Sequence, residues 1–324
     1  MKKGFVILCL LLLLLPLPGM LRAGGAWLRS DRDQAVADAV GFRGAITALH
    51  ADLLRLVGMS GSDQVALGKK GVLYLRETLA EAAGADALTE ADIDAIAQTL
   101  KAWDDALRAR GAYLIFLCAP NKANIRTDEL PFYASHHATE SGLEKLQQRL
   151  RASGVRYIDA KAILAKADQP VYHRTDTHWN DEGAALVYRA LMAALPDAAW
   201  QDYSDAAQEE ISLLGDLTEL IYPENGPREQ ATQRVIPRTY RVKGTMRTTM
   251  DLRIETACDQ NDLRVIMLRD SFANALFPYL ANNIGSLRMI RAAQWQDAYW
   301  QQGTDAVILE IAERNLSSLL GGDP

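Results

Sequence analysis

A chain of 324 residues, 49% hydrophobic and 23% charged, has length for one large domain or two small ones and a composition that excludes wholesale disorder. Its formal net charge of -6 at pH 7 creates no global positive field, which argues against nucleic acid as a partner. Cys9 is an apolar filler in the leader, and Cys118 and Cys258 are too few and too far apart for a disulfide framework or a metal site, although one bridge between them is compatible with an oxidising compartment.

The N-terminus, MKKGFVILCLLLLLLPLPGMLRAGGA, combines Lys2 and Lys3, an apolar run from Phe5 to Leu15, a Pro16/Pro18 break and small residues near Ala23. This pattern predicts an export signal over residues 1–26, either cleaved or kept as an anchor, since Gly4 to Leu21 just suffices to span a bilayer. The remainder, 27–324, is then expected in the periplasm, either free or held to the inner membrane. A helical period runs through AVADAVGFRGAITALHADLLRLVG and stops near Gly58, and VALGKKGVLYL predicts a short hairpin. Thr89 and Asp92 form a capping-box pattern before an amphipathic run that ends at Gly111. AYLIFLCAP (112–120) is continuously apolar, as expected of a strand buried on both faces, and similar runs recur at VRYID (155–159), LRVIML (263–268) and DAVILEI (305–311). Strands of this kind alternating with helices predict an α/β fold around a mainly parallel sheet. The segment from about 196 to 260 breaks the rhythm. In it RTYRVKGTMRTTMDLRIETA alternates around Gly244, predicting inserted antiparallel strands packed beside the main sheet.

HRTDTHWNDEGA (173–184) feeds a helix for which Asn180 is the natural cap. In extended backbone, residues two apart point the same way, so Asp176 reaches the imidazole of His178. There it either orients a general base or is merely a capping acid beside a solvated histidine. After LRVIML, Ser271 stands where a buried strand turns into a helix, the usual ligand-binding edge of an open α/β sheet, although a serine there also serves as a simple cap. Asn121, Lys122, Arg174 and Arg269 are candidates for oxyanion or substrate contact, set against readings as turn, snorkelling or structural residues. Glu310, Glu313 and Arg314 read as an ion pair closing the last strand. His136, His137 and His173 lack ligand spacing, so neither a metal nor an organic cofactor is expected. Between Pro227 and Arg253, Arg228, Arg234, Arg238, Arg241, Lys243, Arg247 and Arg253 face only Glu229 and Asp251. This stretch favours a polyanionic chain if it lines a cleft, and is otherwise an ordinary solvated face.

The succession GFRGAITALHADLL, VALGKKGVLYL, FLCAPNKANIRTDELP, RTDTHWNDEGA, LLGDLTEL, LRDSF and VILEIAERNL resembles the alginate O-acetyltransferase family of exported SGNH-hydrolase-like proteins. The resemblance implies that Ser271 is the acyl-accepting nucleophile, His178 its base and Asp176 the orienter. It also implies a polysaccharide acceptor and a membrane-bound O-acyltransferase partner as acetyl source. One departure is Arg269-Asp270-Ser271 where the family pattern has Gly-Asp-Ser. The implied activity is acetyl transfer to an exopolysaccharide; the alternatives are a carbohydrate esterase using the same triad and a non-catalytic polysaccharide-binding scaffold.

Overall fold

In the computed structural model, which describes residues 43–85, 88–134, 140–195, 199–224 and 226–321, the chain opens with helix α1 (Arg43–Leu56). The predicted hairpin follows as β1 (Val65–Leu67) and β2 (Leu73–Leu75), paired antiparallel around a turn where Lys70 and Gly71 take positive φ. A short α2 (Thr78–Ala82) leads to α3 (Glu90–Arg108), which begins with the Thr89/Asp92 capping box. Gly111, at φ +85°, turns the chain into β3 (Tyr113–Ala119). Then come α4 (Lys122–Ile125), α5 (Gly142–Ser153), β4 (Arg156–Ile158) and α6 (Ala160–Ala165). Asn180 caps α7 (Asp181–Ala194), its side chain accepting from Gly183 N at 3.0 Å.

The irregular middle supplies β5 (Gln208–Leu213), α8 (Asp216–Ile221), β6 (Glu229–Arg234), β7 (Arg241–Val242) and β8 (Arg253–Ala257). The chain closes with β9 (Arg264–Arg269), α9 (Ala273–Asn283), β10 (Ser286–Arg291) and β11 (Ala306–Ala312). The export segment expected at 1–26, and His136 and His137, lie outside the described residues. Among the described residues no helix is long and apolar enough to cross a membrane.

Seven strands form the central sheet in the order β4-β3-β11-β9-β10-β8-β7. The first five are mutually parallel, and β8 and β7 add antiparallel at one edge. The continuous apolar runs have a direct cause. Ile115, Leu117 and Ala119 of β3 enter one core and Leu114, Phe116 and Cys118 the other, so both faces must be hydrophobic. Fully burying each large side chain of this kind contributes about 1.5–3 kcal/mol. β11 does the same between β3 and β9, with Ala306, Ile308 and Ala312 on one side and Val307, Leu309 and Ile311 on the other.

One expectation changes and one pair of strands is new. The antiparallel pair β7 and β8 is not a separate hairpin beside the sheet but its continuation, with β8 bonded to β10. β5 and β6 form an additional two-stranded ribbon, with Gln208 opposite Arg234 and Leu213 opposite Glu229.

Candidate active site

Ser271 follows β9 directly, at the carboxyl end of the parallel strands. The turn that carries it is held by Asp270. One carboxylate oxygen accepts from Phe272 N at 2.9 Å, the other from Ala312 N at 2.7 Å at the end of β11, and Asp270 N donates to Glu310 Oε2 at 2.9 Å. The turn carrying Ser271 is therefore bolted to the neighbouring strand. Burial, then the adjacent Asp270 charge, hold the Glu310 carboxyl well above its usual range.

His178 arrives on a narrow loop closed by the bridge between Tyr172 and Trp179, with His173 N donating to His178 O at 3.2 Å. Its Nδ1 lies 2.7 Å from Asp176 Oδ1, and its Nε2 lies 2.8 Å from Ser271 Oγ. An ionised carboxylate only accepts, so the Nδ1 proton points at Asp176 and Nε2 is free to accept from the serine hydroxyl. Burial raises the Asp176 carboxyl, but the His178 hydrogen bond and charge, with the N–H groups of Asp216 and His178, outweigh it and hold it below the ordinary carboxylate range. Phe272 packs on the imidazole at 4.7 Å between ring centroids, and Trp179 Nε1 donates to Phe272 O at 3.1 Å, tying the two loops together.

Three contacts fix the Asp176 loop. Asp216 N donates to Asp176 Oδ2 at 2.9 Å, while the Asp216 carboxylate accepts from Thr177 N at 2.7 Å and from the Thr177 hydroxyl. This close approach requires Gly215: a Cβ there would stand 2.2 Å from Thr175 O. Glu229 accepts from Arg174 N at 2.9 Å, Thr175 N at 2.8 Å and Thr175 Oγ1 at 2.6 Å. Burial opposes its ionisation, yet His173 and these donors hold its carboxyl down to about 2.

The third contact is Lys122. It is 5% exposed and donates to Asp176 O at 2.6 Å, His173 O at 3.2 Å and Arg174 O at 3.4 Å. Burial lowers its ammonium to about 7. Its head group is thus spent on main-chain carbonyls under the loop, neither snorkelling nor facing a substrate.

The other candidates are also placed. The Asn121 amide donates to Glu81 Oε2 at 2.6 Å and its backbone N–H to Glu313 Oε2 at 2.7 Å, which leaves that N–H and Nδ2 contact committed away from an oxyanion. Arg174 reaches Lys70 O at 2.8 Å across the β1–β2 turn. Arg269 ends β9 opposite Arg291 and is 2% exposed. Lys70 is the only non-glycine with positive φ among the described residues, so arginine in place of glycine forces no left-handed backbone here. Its guanidinium instead binds Thr249 O at 2.6 Å, Asp251 O at 2.8 Å and Asn274 Oδ1 at 2.9 Å, strapping the β7–β8 connection to the start of α9.

Glu310 and Glu313 do not pair with Arg314 as expected. Glu313 Oε2 accepts from Asn121 N and from Asn124 Nδ2 at 2.9 Å, and Arg314 lies over the Phe272 ring at 5.4 Å. Cys118 and Cys258 are both buried and unbridged. Of the basic stretch, Arg234 is buried between Asp181 and Glu182, Arg241 pairs with Asp259, and Arg253 pairs with Glu255.

Asp216 went unassigned from sequence. Asp176, His178 and Asp216 present ligand-type atoms within 4.8 Å of one another. Both carboxylates accept from N–H groups of this network, and the His178 ring bridges Asp176 and Ser271.

The fold defines an SGNH-hydrolase-like protein. PatB1 of Bacillus cereus, solved with a sulfonyl adduct, superposes with a TM-score of 0.60 at 18% identity, over 79% of this chain and 96% of that one. The O-acetyltransferase domain of Pseudomonas putida AlgJ superposes with a TM-score of 0.54 at 19% identity, over 80% and 94%. The chain belongs to the family described as ALGX: SGNH hydrolase-like domain, acetyltransferase AlgX, whose family model matches residues 65–281. Curated relatives include the probable alginate O-acetylase AlgJ of Pseudomonas putida, 28% identical over 50% of this chain, and that of Pseudomonas syringae pv. tomato, 29% identical over 50%. The matches span 43% and 42% of those relatives' lengths.

Proposed function

We propose that this chain is an O-acetyltransferase that moves acetyl groups onto hydroxyls of an exopolysaccharide through an acetyl-Ser271 intermediate. The observation that carries the reading is the unbroken contact from Ser271 Oγ to His178 Nε2 at 2.8 Å and from His178 Nδ1 to Asp176 Oδ1 at 2.7 Å. Family membership and the names of the AlgJ relatives support the acetyl group and the polysaccharide class.

In the first half-reaction Ser271 Oγ attacks the acetyl carbonyl of a donor while its proton passes to His178 Nε2. The bond from the acetyl carbon to the donor breaks, and the leaving group takes that proton. In the second, a sugar hydroxyl gives its proton to Nε2 and attacks the acetyl ester, releasing Ser271, which recovers the proton. Asp176 stabilises the imidazolium formed in each half. The Ser271 backbone N–H, at the turn into α9, is the proposed oxyanion donor. The setting is the periplasm or its inner-membrane face, with a membrane-bound O-acyltransferase as acetyl source.

The test is acetyl transfer from an activated acetyl ester to oligosaccharide. Ser271→Ala and His178→Ala each lower it by at least about a thousandfold with circular dichroism unchanged, because the triad acts as a unit. Wild-type rates in either variant overturn the assignment, and free acetate without acetylated sugar identifies a hydrolase instead.

A further inference from the structure

Two clefts, of about 370 and 460 Å³, are lined in part by the β5–β6 ribbon. Both are within the range of small-ligand sites. They share His173, Asn180, Asp181, Thr232 and Arg234. The smaller adjoins the triad without including its three side chains: its wall has Trp179, next in the chain to His178, and Asn274, whose backbone N–H donates to Ser271 O at 3.1 Å.

The lining mixes uncharged polar groups and apolar wall with charged side chains in which carboxylates outnumber guanidiniums. Gln169, Gln208, Gln230 and Thr232 contribute amides and a hydroxyl, while Ile211, Val235, Ile236 and Pro278 provide apolar wall. This combination suits sugars, which offer hydroxyls at their rims and C–H groups on their faces. Three guanidiniums reach the clefts against four carboxylates; two of the three are paired with carboxylates, and Arg174 bonds a main-chain carbonyl. Arg126 pairs with Glu129 at 2.8 Å, Arg234 with Asp181 at 2.7 Å and also with Glu182, and Arg174 is turned to Lys70 O. Four carboxylates, Asp181, Glu182, Glu209 and Glu229, line the same space. A uronic-acid chain would bring one further negative charge per residue into a site with no cationic surplus, a like-charge cost.

We infer that these clefts form the acceptor subsite and that it selects an uncharged glycan over a polyuronate. The inference rests on the proposed function for the word acceptor, but its test is a binding measurement that does not depend on catalysis. The full chain carrying Ser271→Ala is titrated calorimetrically with cello-, manno- and galacto-pentaose and with pentamannuronate and pentagalacturonate. The expected result is that at least one neutral pentaose binds about tenfold or more tightly than either uronate, with little response to added salt.

Adding Thr232→Trp, which fills the cleft, or Gln208→Ala with Gln230→Ala, which removes amides without bulk, weakens that binding about tenfold. Matching circular dichroism spectra and Tm establish that each variant is folded. Uronates binding as tightly as the neutral glycans, no neutral glycan binding, or neutral binding indifferent to both sets of substitutions overturns the inference. Hydrolysis of para-nitrophenyl acetate by the wild-type chain, compared with Ser271→Ala, separately tests the triad.

Discussion

His178 Nδ1 has two carboxylates within reach, Asp176 at 2.7 Å and Asp216 at 3.5 Å, and their donors tell them apart. Asp176 Oδ1 receives both the ring and the backbone N–H of His178, whereas Asp216 is occupied by Thr177. In the proposed mechanism Asp176 is thus the orienter, and Asp216 holds the Asp176 loop. An amide at 176 offers its own N–H to Nδ1 and favours the tautomer that protonates Nε2, disarming the base. Asp176→Asn is therefore expected to lower kcat by about 10³–10⁴-fold. Asp216→Asn lowers it by only about tenfold, since it disturbs alignment alone. Steady-state kinetics of acetyl transfer on both variants decides. Equal losses would contradict the division of roles.

At the scale of elements, the 172–179 loop is positioned by parts drawn from across the chain. Lys122 enters from the end of β3, Glu229 from β6, and Gly215 from the turn before α8. Gly215→Ala places a methyl 2.2 Å from Thr175 O and must push the two loops apart. The expected outcome is a fall in kcat of about 10²-fold, in line with an ångström-scale misplacement. Slower modification of Ser271 by a sulfonyl fluoride should accompany it; an unchanged labelling rate would show that the loop's placement does not matter.

The Asp-x-His pair and the strand-end serine were legible because local spacing encodes them. Asp216 was not, since it contacts Asp176 and Thr177 across some forty positions and in sequence resembles only the acidic first turn of a helix. Arg269 was equally opaque because two of its partners are the main-chain carbonyls of Thr249 and Asp251, which leave no residue signature.

The doubly buried strands β3, β9 and β11 announced themselves as apolar runs. β10 did not, because Leu287 and Met289 alternate with Ser286 and Arg288 and the strand ends on Arg291. β5 and β6, QEEISL and EQATQR, are polar ribbon strands with no hydrophobic period to read.

Over the whole molecule, stability against pH is set by carboxyls displaced in opposite directions. Asp176 and Glu229 are held low, so their contribution is present above the unfolded carboxylate range, at pH about 4, and is lost as pH falls through their folded values, for Glu229 about 2. Burial holds Glu310 and Glu313 high, so theirs is full below that range and declines as pH rises toward their folded values. Together they predict a Tm maximum in mildly acidic solution. Glu310→Gln, which keeps an acceptor for Asp270 N, should flatten the descending limb. A wild-type Tm that does not fall from mildly acidic to neutral pH would contradict this.

The central claim is that Ser271 carries the acetyl group. Peptide mass spectrometry after brief exposure of the full chain to an activated acetyl ester, without acceptor, tests it most directly. The expected result is one acetyl group on the peptide containing Ser271, absent from Ser271→Ala and discharged when acceptor oligosaccharide is added. Acetyl transfer proceeding with Ser271 unmodified would contradict the account.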